Sequence, residues 1–329
     1  MDAPDQLSLF GRGGVDPTGP AAVVTPAQRA LAARLPAHVH LGTSSWTFPG
    51  WAGIVYAGHP SKEQLVERGL EAYAKHPLLR TVGVDRSYYE PLTVEQWRAY
   101  ARQLPSGFRV VAKAWSEVTT AVFADHPRLG ARAGQRNPAF LDPALTLSHV
   151  ARPYLEGMGE HAGPLVFELP QIPERLLPRQ DDFLARLSAL FDAMPAGLPL
   201  AVELRTRALL SLPYLDLLRA RNVSHVVNFW TAMPTPAEQA ALGADEPGAD
   251  VIFRLMLPPG ARYAELEAAY APYDRIVAPQ PAMRREVLEI IERAVAKGRG
   301  AFVIVNNKVE GSSPLTVFAL AEALAERAR

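Results

Sequence analysis

The strongest constraint on this chain is a rhythm. Short β-branched or aliphatic runs alternate with longer stretches of helical periodicity from residue 38 to the C-terminus. The runs lie at 38–44, 81–85, 108–113, 165–169, 200–204, 226–229, 251–255 and 301–306. Helix-like segments at 61–76, 93–104, 181–194, 212–221 and 281–298 separate them, and a last one follows at 314–327. Thr93 with Glu95 and Gln96 makes a capped start and Gly298 a stop. Near-continuous apolar strands alternating with helices call for parallel strands covered on the outside. Eight such units within 329 residues predict an α/β fold of the closed (β/α)8, or TIM barrel, type: one domain over 38–329. An open doubly wound sheet is the alternative, but its Gly-rich turn is missing, because the first run leads into Gly42-Thr43-Ser44-Ser45-Trp46.

Composition narrows the function classes. The chain carries 34 basic and 34 acidic side chains, so direct DNA binding is expected to be weak or to depend on a tether. It has no cysteine, which removes disulfides, thiolate metal sites and a Cys nucleophile. Its start, Met1-Asp2-Ala3-Pro4-Asp5, is acidic, and no apolar stretch reaches membrane-spanning length. No membrane partner and a cytoplasmic location are the expectations.

Barrel chemistry collects at the C-terminal ends of strands. There stand Ser44, Ser45 and Trp46; Asp85, Tyr88 and Tyr89; Lys113 and Trp115; Glu168; Glu203 and Arg205; Asn228 and Trp230; Arg254; and Asn306, Asn307 and Lys308. Lys113 and Glu203 each end an apolar strand, where desolvation can bring a pKa toward neutrality. They are read as catalytic, or else as a buried Lys113–Glu203 pair closing the mouth. Glu168 is a second candidate carboxylate, acting with Glu203 as acid and base. Arg205 and Arg254 suit a phosphate or carboxylate, or pair with Glu168 and Glu203 instead. Trp46, Asp85, Tyr89, Asn228, Asn306 and Asn307 complete the expected substrate-binding set. Trp46, Trp51, Tyr88, Tyr89, Trp115 and Trp230 offer a stacking wall, or are packing. No cofactor and no metal site are expected. His38-Val39-His40 and His225 fall at strand starts and are read as surface or bottom-face residues, while Asp85, Glu168 and Glu203 are the carboxylates that would take a divalent ion.

Several segments resemble one family. They are Leu41-Gly42-Thr43-Ser44-Ser45-Trp46 with Trp51 and Tyr56, Ser87-Tyr88-Tyr89 with Trp97, 105–114, 201–205, Phe253-Arg254-Leu255 and Val305-Asn306-Asn307. In this order, over roughly 40–325, they are similar to the domain-of-unknown-function 72, or YecE-like, family. The resemblance implies a barrel like those of sugar-phosphate isomerases and endonuclease-IV-type enzymes, with a top-face site and no established reaction. Lys113, Glu203, Arg254, Asn306 and Asn307 match its pattern. Gly83 stands where the family has Glu, Glu168 where it has Gln, and Thr120 and Thr206 where it has His, which implies a rewired site.

Residues 1–25 read as an unstructured tail, because Gly11, Gly13, Gly14, Pro17, Gly19 and Pro20 punctuate it too densely for regular structure. Within it Gln6-Leu7-Ser8-Leu9-Phe10 resembles the peptide by which bacterial polymerases and repair proteins dock on the DNA sliding clamp. Leu9 and Phe10 fit one apolar pocket, Leu7 a neighbouring one, and Gln6 bonds backbone. The alternative is that these side chains pack on the barrel's bottom.

Three functions follow. The first is a clamp-tethered enzyme on DNA or a nucleotide-derived sugar phosphate, the clamp supplying local concentration. The second is an isomerase or lyase on free sugars or their phosphates. The third is a non-catalytic adaptor that binds a ligand and the clamp.

Overall fold

The computed structural model of the protein describes residues 19–327. Among these, the strands are β1 (Val39–Thr43), β2 (Thr81–Val84), β3 (Val110–Lys113), β4 (Ala162–Leu169), β5 (Leu200–Leu204), β6 (Ser224–Phe229), β7 (Asp250–Leu255) and β8 (Gly300–Val305). Each pairs in parallel with the next, and β8 pairs back onto β1, so the expected barrel is closed. Helices cover it, and four of them open on reciprocal caps: Thr25 with Gln28, Ser61 with Gln64, Thr93 with Gln96, and Thr235 with Glu238. No helix among the described residues is long and apolar enough to cross a membrane.

The period of two along each strand builds the barrel in layers. Val111, Val166, Ala201, Val226, Ile252, Phe302 and Ile304 form one apolar cluster inside it. Two positions after most of these come Lys113, Glu168, Glu203, Asn228, Arg254 and Asn306, on the same inward face and one layer nearer the C-terminal mouth. Below, His40 stacks on Phe302 with ring centroids 4.5 Å apart, and Arg109 lies 5.5 Å from the same ring. The side chains between the inward ones, such as Phe167, Val202, Phe253 and Val303, face outward into the main core against the helices.

Two expectations need correction. Order begins before residue 25: Val23 N–H donates to the Val55 carbonyl and Ala57 N–H to that of Ala21, and Pro26–Ala33 is a helix. The segment after β1 offers spare backbone groups, and residues 21–23 take them up. His225 is not a surface residue. It is buried between β6 and the helices, its ring nitrogens 3.0 Å from the Tyr214 hydroxyl and 3.2 Å from Gln239 Oε1. The docking peptide at 6–10 lies outside the described residues.

Closure at the β1–β2 seam depends on one glycine. Gly42 pairs with Thr81, and a Cβ at Gly42 would lie 1.9 Å from the Thr81 carbonyl oxygen. Gly42→Ala is expected to cost about 3 kcal/mol of unfolding free energy or to prevent folding. Urea denaturation checks this, and an unchanged midpoint would mean that β1 and β2 separate to admit the methyl group.

Candidate active site

At the C-terminal mouth the inward layer becomes a network of charge. Glu168 and Glu203 are directly paired neighbours on β4 and β5, so their carboxylates project inward at one height. Arg254, from β7, donates through Nη1 to Glu168 Oε2 and to Glu203 Oε2. Arg205 Nη2, just beyond β5, lies 2.6 Å from Glu203 Oε1 and 3.4 Å from Glu168 Oε2. Lys113 Nζ, ending β3, lies 3.0 Å from Glu168 Oε2 and 3.5 Å from Asp85 Oδ1. Asp85, just after β2, also stands 3.8 Å from Arg254 Nη2. Three cations therefore meet three carboxylates, all from strand ends.

Burial alone would raise the pKa of Glu168, but Lys113, Arg205 and Arg254 overcome this and hold it well below the ordinary carboxylate value. Burial pulls Arg254 down, and Glu203, Glu168 and Asp85 outweigh it, holding the guanidinium charged. Glu168 is thus a fixed anion. A general acid needs a proton to give near neutral pH, so the two-carboxylate acid–base pair loses one partner. Space gives the same answer: an Arg254 guanidinium fills the gap between Glu168 and Glu203 where a glycosidic bond would sit. The Lys113–Glu203 pair considered from sequence is not formed either, because Lys113 meets Glu168 on the adjacent strand.

Not every donor is satisfied. Arg205 Nε and Nη1 and Arg254 Nη2 are buried without a hydrogen-bond partner. Buried N–H groups without partners are costly, and here the cost falls on the two guanidiniums that hold Glu203 and Glu168.

Other expected residues divide. Asn228 Nδ2 donates to the Leu204 carbonyl at 2.8 Å and reaches Glu203 Oε1 at 3.5 Å, which ties β6 into the network. Asn306 donates to Ser44 Oγ at the mouth, while Asn307 Oδ1 accepts from Ser313 N–H and so holds the start of the last helix. Tyr89 stands at the rim, 38% exposed. Trp46 and Trp51 are fully buried, and the Trp46 indole N–H donates to the Leu65 carbonyl, so neither can stack on a ligand. Trp115 is half-buried beside His149. The Tyr88 ring centroid lies 4.6 Å from Lys113 Nζ, and that of Trp230 lies 3.8 Å from the Arg205 guanidinium.

Two residues outside the expected site set meet here, Lys308 and Tyr263. Lys308 lies three residues beyond β8. It is buried, its Nζ 3.9 Å from the Tyr263 ring centroid and 3.7 Å from Glu267. Tyr263 opens the helix Tyr263–Tyr270, and burial first, then the charges of Glu267 and Asp85, raise its pKa. No strand-end signal marks it, because it belongs to a helix beyond β7. Asp85, Glu168 and Glu203 face cations, and no group of three His, Asp or Glu side chains among the described residues is arranged to hold a metal ion.

Residues 40–329 match the model of a family described as "Protein of unknown function DUF72". A DUF72 family protein from Thermotoga maritima has a similar solved structure, with a TM-score of 0.57 and 17% identity over 88% of this chain and 99% of that one. Another, from Enterococcus faecalis, gives 0.54 and 16% over 87% and 97%. No curated protein matches. At these identities the solved structures bear on fold alone.

The Glu168 shift has a signed consequence. Its folded pKa lies below the unfolded value near 4.5, so its stabilisation is present above that pH and is lost as pH falls through the folded value. Glu168→Gln is expected to lower the unfolding free energy by about 3 kcal/mol at neutral pH. Its deficit relative to wild type should shrink once pH drops below 4.5. Chemical denaturation across pH checks this; a deficit constant into strong acid would show that Glu168 does not act as an ion.

Proposed function

We propose, for a chain that belongs to the DUF72 family and so has a fold without an assigned reaction, an enzyme of isomerase or lyase type. Its substrate is a polar, sugar-containing small molecule bound at the barrel mouth. The observation that carries this reading is the meeting of Asp85, Lys113, Glu168, Glu203, Arg205 and Arg254 in one network at the end of the barrel where such folds assemble chemistry.

The geometry divides the roles. Asp85 is the carboxylate least engaged, with its cations at 3.5 and 3.8 Å and its side chain 19% exposed, so it suits removal of a proton from a carbon beside a carbonyl or hydroxyl. Lys113 stands beside it and donates to the substrate oxygen on which charge develops. Glu168 and Glu203 are the fixed counter-charges that orient Lys113, Arg205 and Arg254. Solvent-deuterium incorporation tests this directly. Wild type incubated in heavy water with a panel of aldoses, ketoses and their phosphates should exchange a carbon-bound proton, and Lys113→Ala and Asp85→Asn should each slow this by at least ~100-fold. Equal exchange in Lys113→Ala would reject the mechanism.

The N-terminal peptide adds a place of action. Gln6, Leu7, Leu9 and Phe10 have the chemistry of a sliding-clamp ligand, and we infer that they tether the barrel to a clamp on DNA, which the balanced net charge would otherwise leave it unable to hold. Purified bacterial clamp should retain the full chain, and Phe10→Ala should weaken retention at least ~10-fold; retention unaffected by that change would remove the tether.

A further inference from the structure

We propose that the mouth recognises an uncharged, hydroxyl-bearing ring of its substrate and excludes a phosphate or carboxylate group from the network. This rests on the reading of the mouth as a site for a sugar-containing molecule, and it names which part of that molecule the charged residues hold.

Lys113, Arg205 and Arg254 face Asp85, Glu168 and Glu203, and the nearby Lys308 faces Glu267, so each cation at the mouth already has its anion. An entering phosphate would bring negative charge beside Glu168 and Asp85 with no uncompensated cation among Lys113, Arg205, Arg254 and Lys308 to meet it. Like charges a few ångströms apart in a buried setting repel strongly, and the repulsion must be relieved by proton uptake or by expelling a carboxylate. A hydroxyl group has neither problem, since it both donates and accepts. The mouth offers both halves: the Lys113 ammonium as donor, and the partly exposed carboxylates of Asp85 and Glu168 as acceptors.

Barrels that bind phosphate commonly do so with N–H groups of the loops after the seventh and eighth strands. Here five of those groups are already occupied. Gly260 N–H donates to Thr231 Oγ1, Ala261 N–H to the Pro258 carbonyl, Lys308 N–H to Asn306 Oδ1, Val309 N–H to the Asn306 carbonyl, and Ser313 N–H to Asn307 Oδ1.

Tyr88 and Trp230 lie against Lys113 and Arg205, and Tyr89 and Tyr263 are among the exposed large side chains. Aromatic faces around convergent polar groups suit the apolar face of a sugar ring.

The test uses inorganic phosphate as the probe, titrated into the full chain by calorimetry at fixed ionic strength. Wild type should show no saturable binding in the millimolar range. Asp85→Asn and Glu168→Gln each remove one negative charge from the network, and each should gain phosphate binding at least ~10-fold tighter than wild type. Glu95→Gln makes the same change of net charge on a remote, exposed helix and should gain nothing. Either network variant suffices if the other fails to fold. Saturable binding by wild type, abolished in Arg254→Gln, would overturn the proposal while leaving the mouth a ligand site. A lack of any gain in both folded variants would overturn it too, because charge balance would not then be what keeps anions out. Failure of the underlying catalytic reading would show separately, as deuterium exchange that ignores Lys113.

Discussion

Arg254 is the group on which the top of this barrel depends. Parallel pairing sets Glu168 and Glu203 side by side on β4 and β5, and the strand period turns both inward. Two carboxylates that close, above an apolar layer, cannot both stay ionised without a cation between them. Arg254 supplies it through one nitrogen shared by both. The remaining geometry follows from that choice. Arg205 takes the outer oxygen of Glu203, Lys113 takes Glu168, and Asp85 is left within reach of two cations but held tightly by neither.

The architecture was legible because it rests on local signals. Runs such as 200–204 and 251–255 carry their own boundaries, and their alternation with helical segments leaves few folds that bury both. The membership of the site was legible for a related reason: a polar residue two positions beyond an inward apolar one, as Lys113 follows Val111 or Arg254 follows Ile252, must lie in the next layer up.

What the sequence did not disclose was partnership. Lys113 was matched to Glu203, yet β3 borders β4, and an ammonium reaches the adjacent strand's carboxylate before one two strands away. Trp46 was placed at the mouth because it ends the first run, but the chain turns outward after Ser44 and carries the indole into the packing of the flanking helices, near Tyr100 and Leu65. Tyr263 gave no signal at all. Its place against Lys308 arises from how the segment after β7 folds, which no periodicity encodes.

Closing the barrel does not by itself require charges at its mouth. One layer below, Val111, Val166, Ala201, Val226, Ile252 and Ile304 do the same geometric task with apolar surface alone. Burying ion pairs commonly contributes less to stability than packing hydrocarbons of the same size, since each ion must first give up its water. The charged layer therefore calls for a reason other than closure. Its arrangement suggests one: the cations hold Glu168 ionised, the carboxylates hold Arg254 charged, and three guanidinium nitrogens are left without an acceptor. Donors fixed in place before a ligand arrives need no reorganisation when charge develops on it, and that is the condition under which such groups stabilise a transition state rather than a fold.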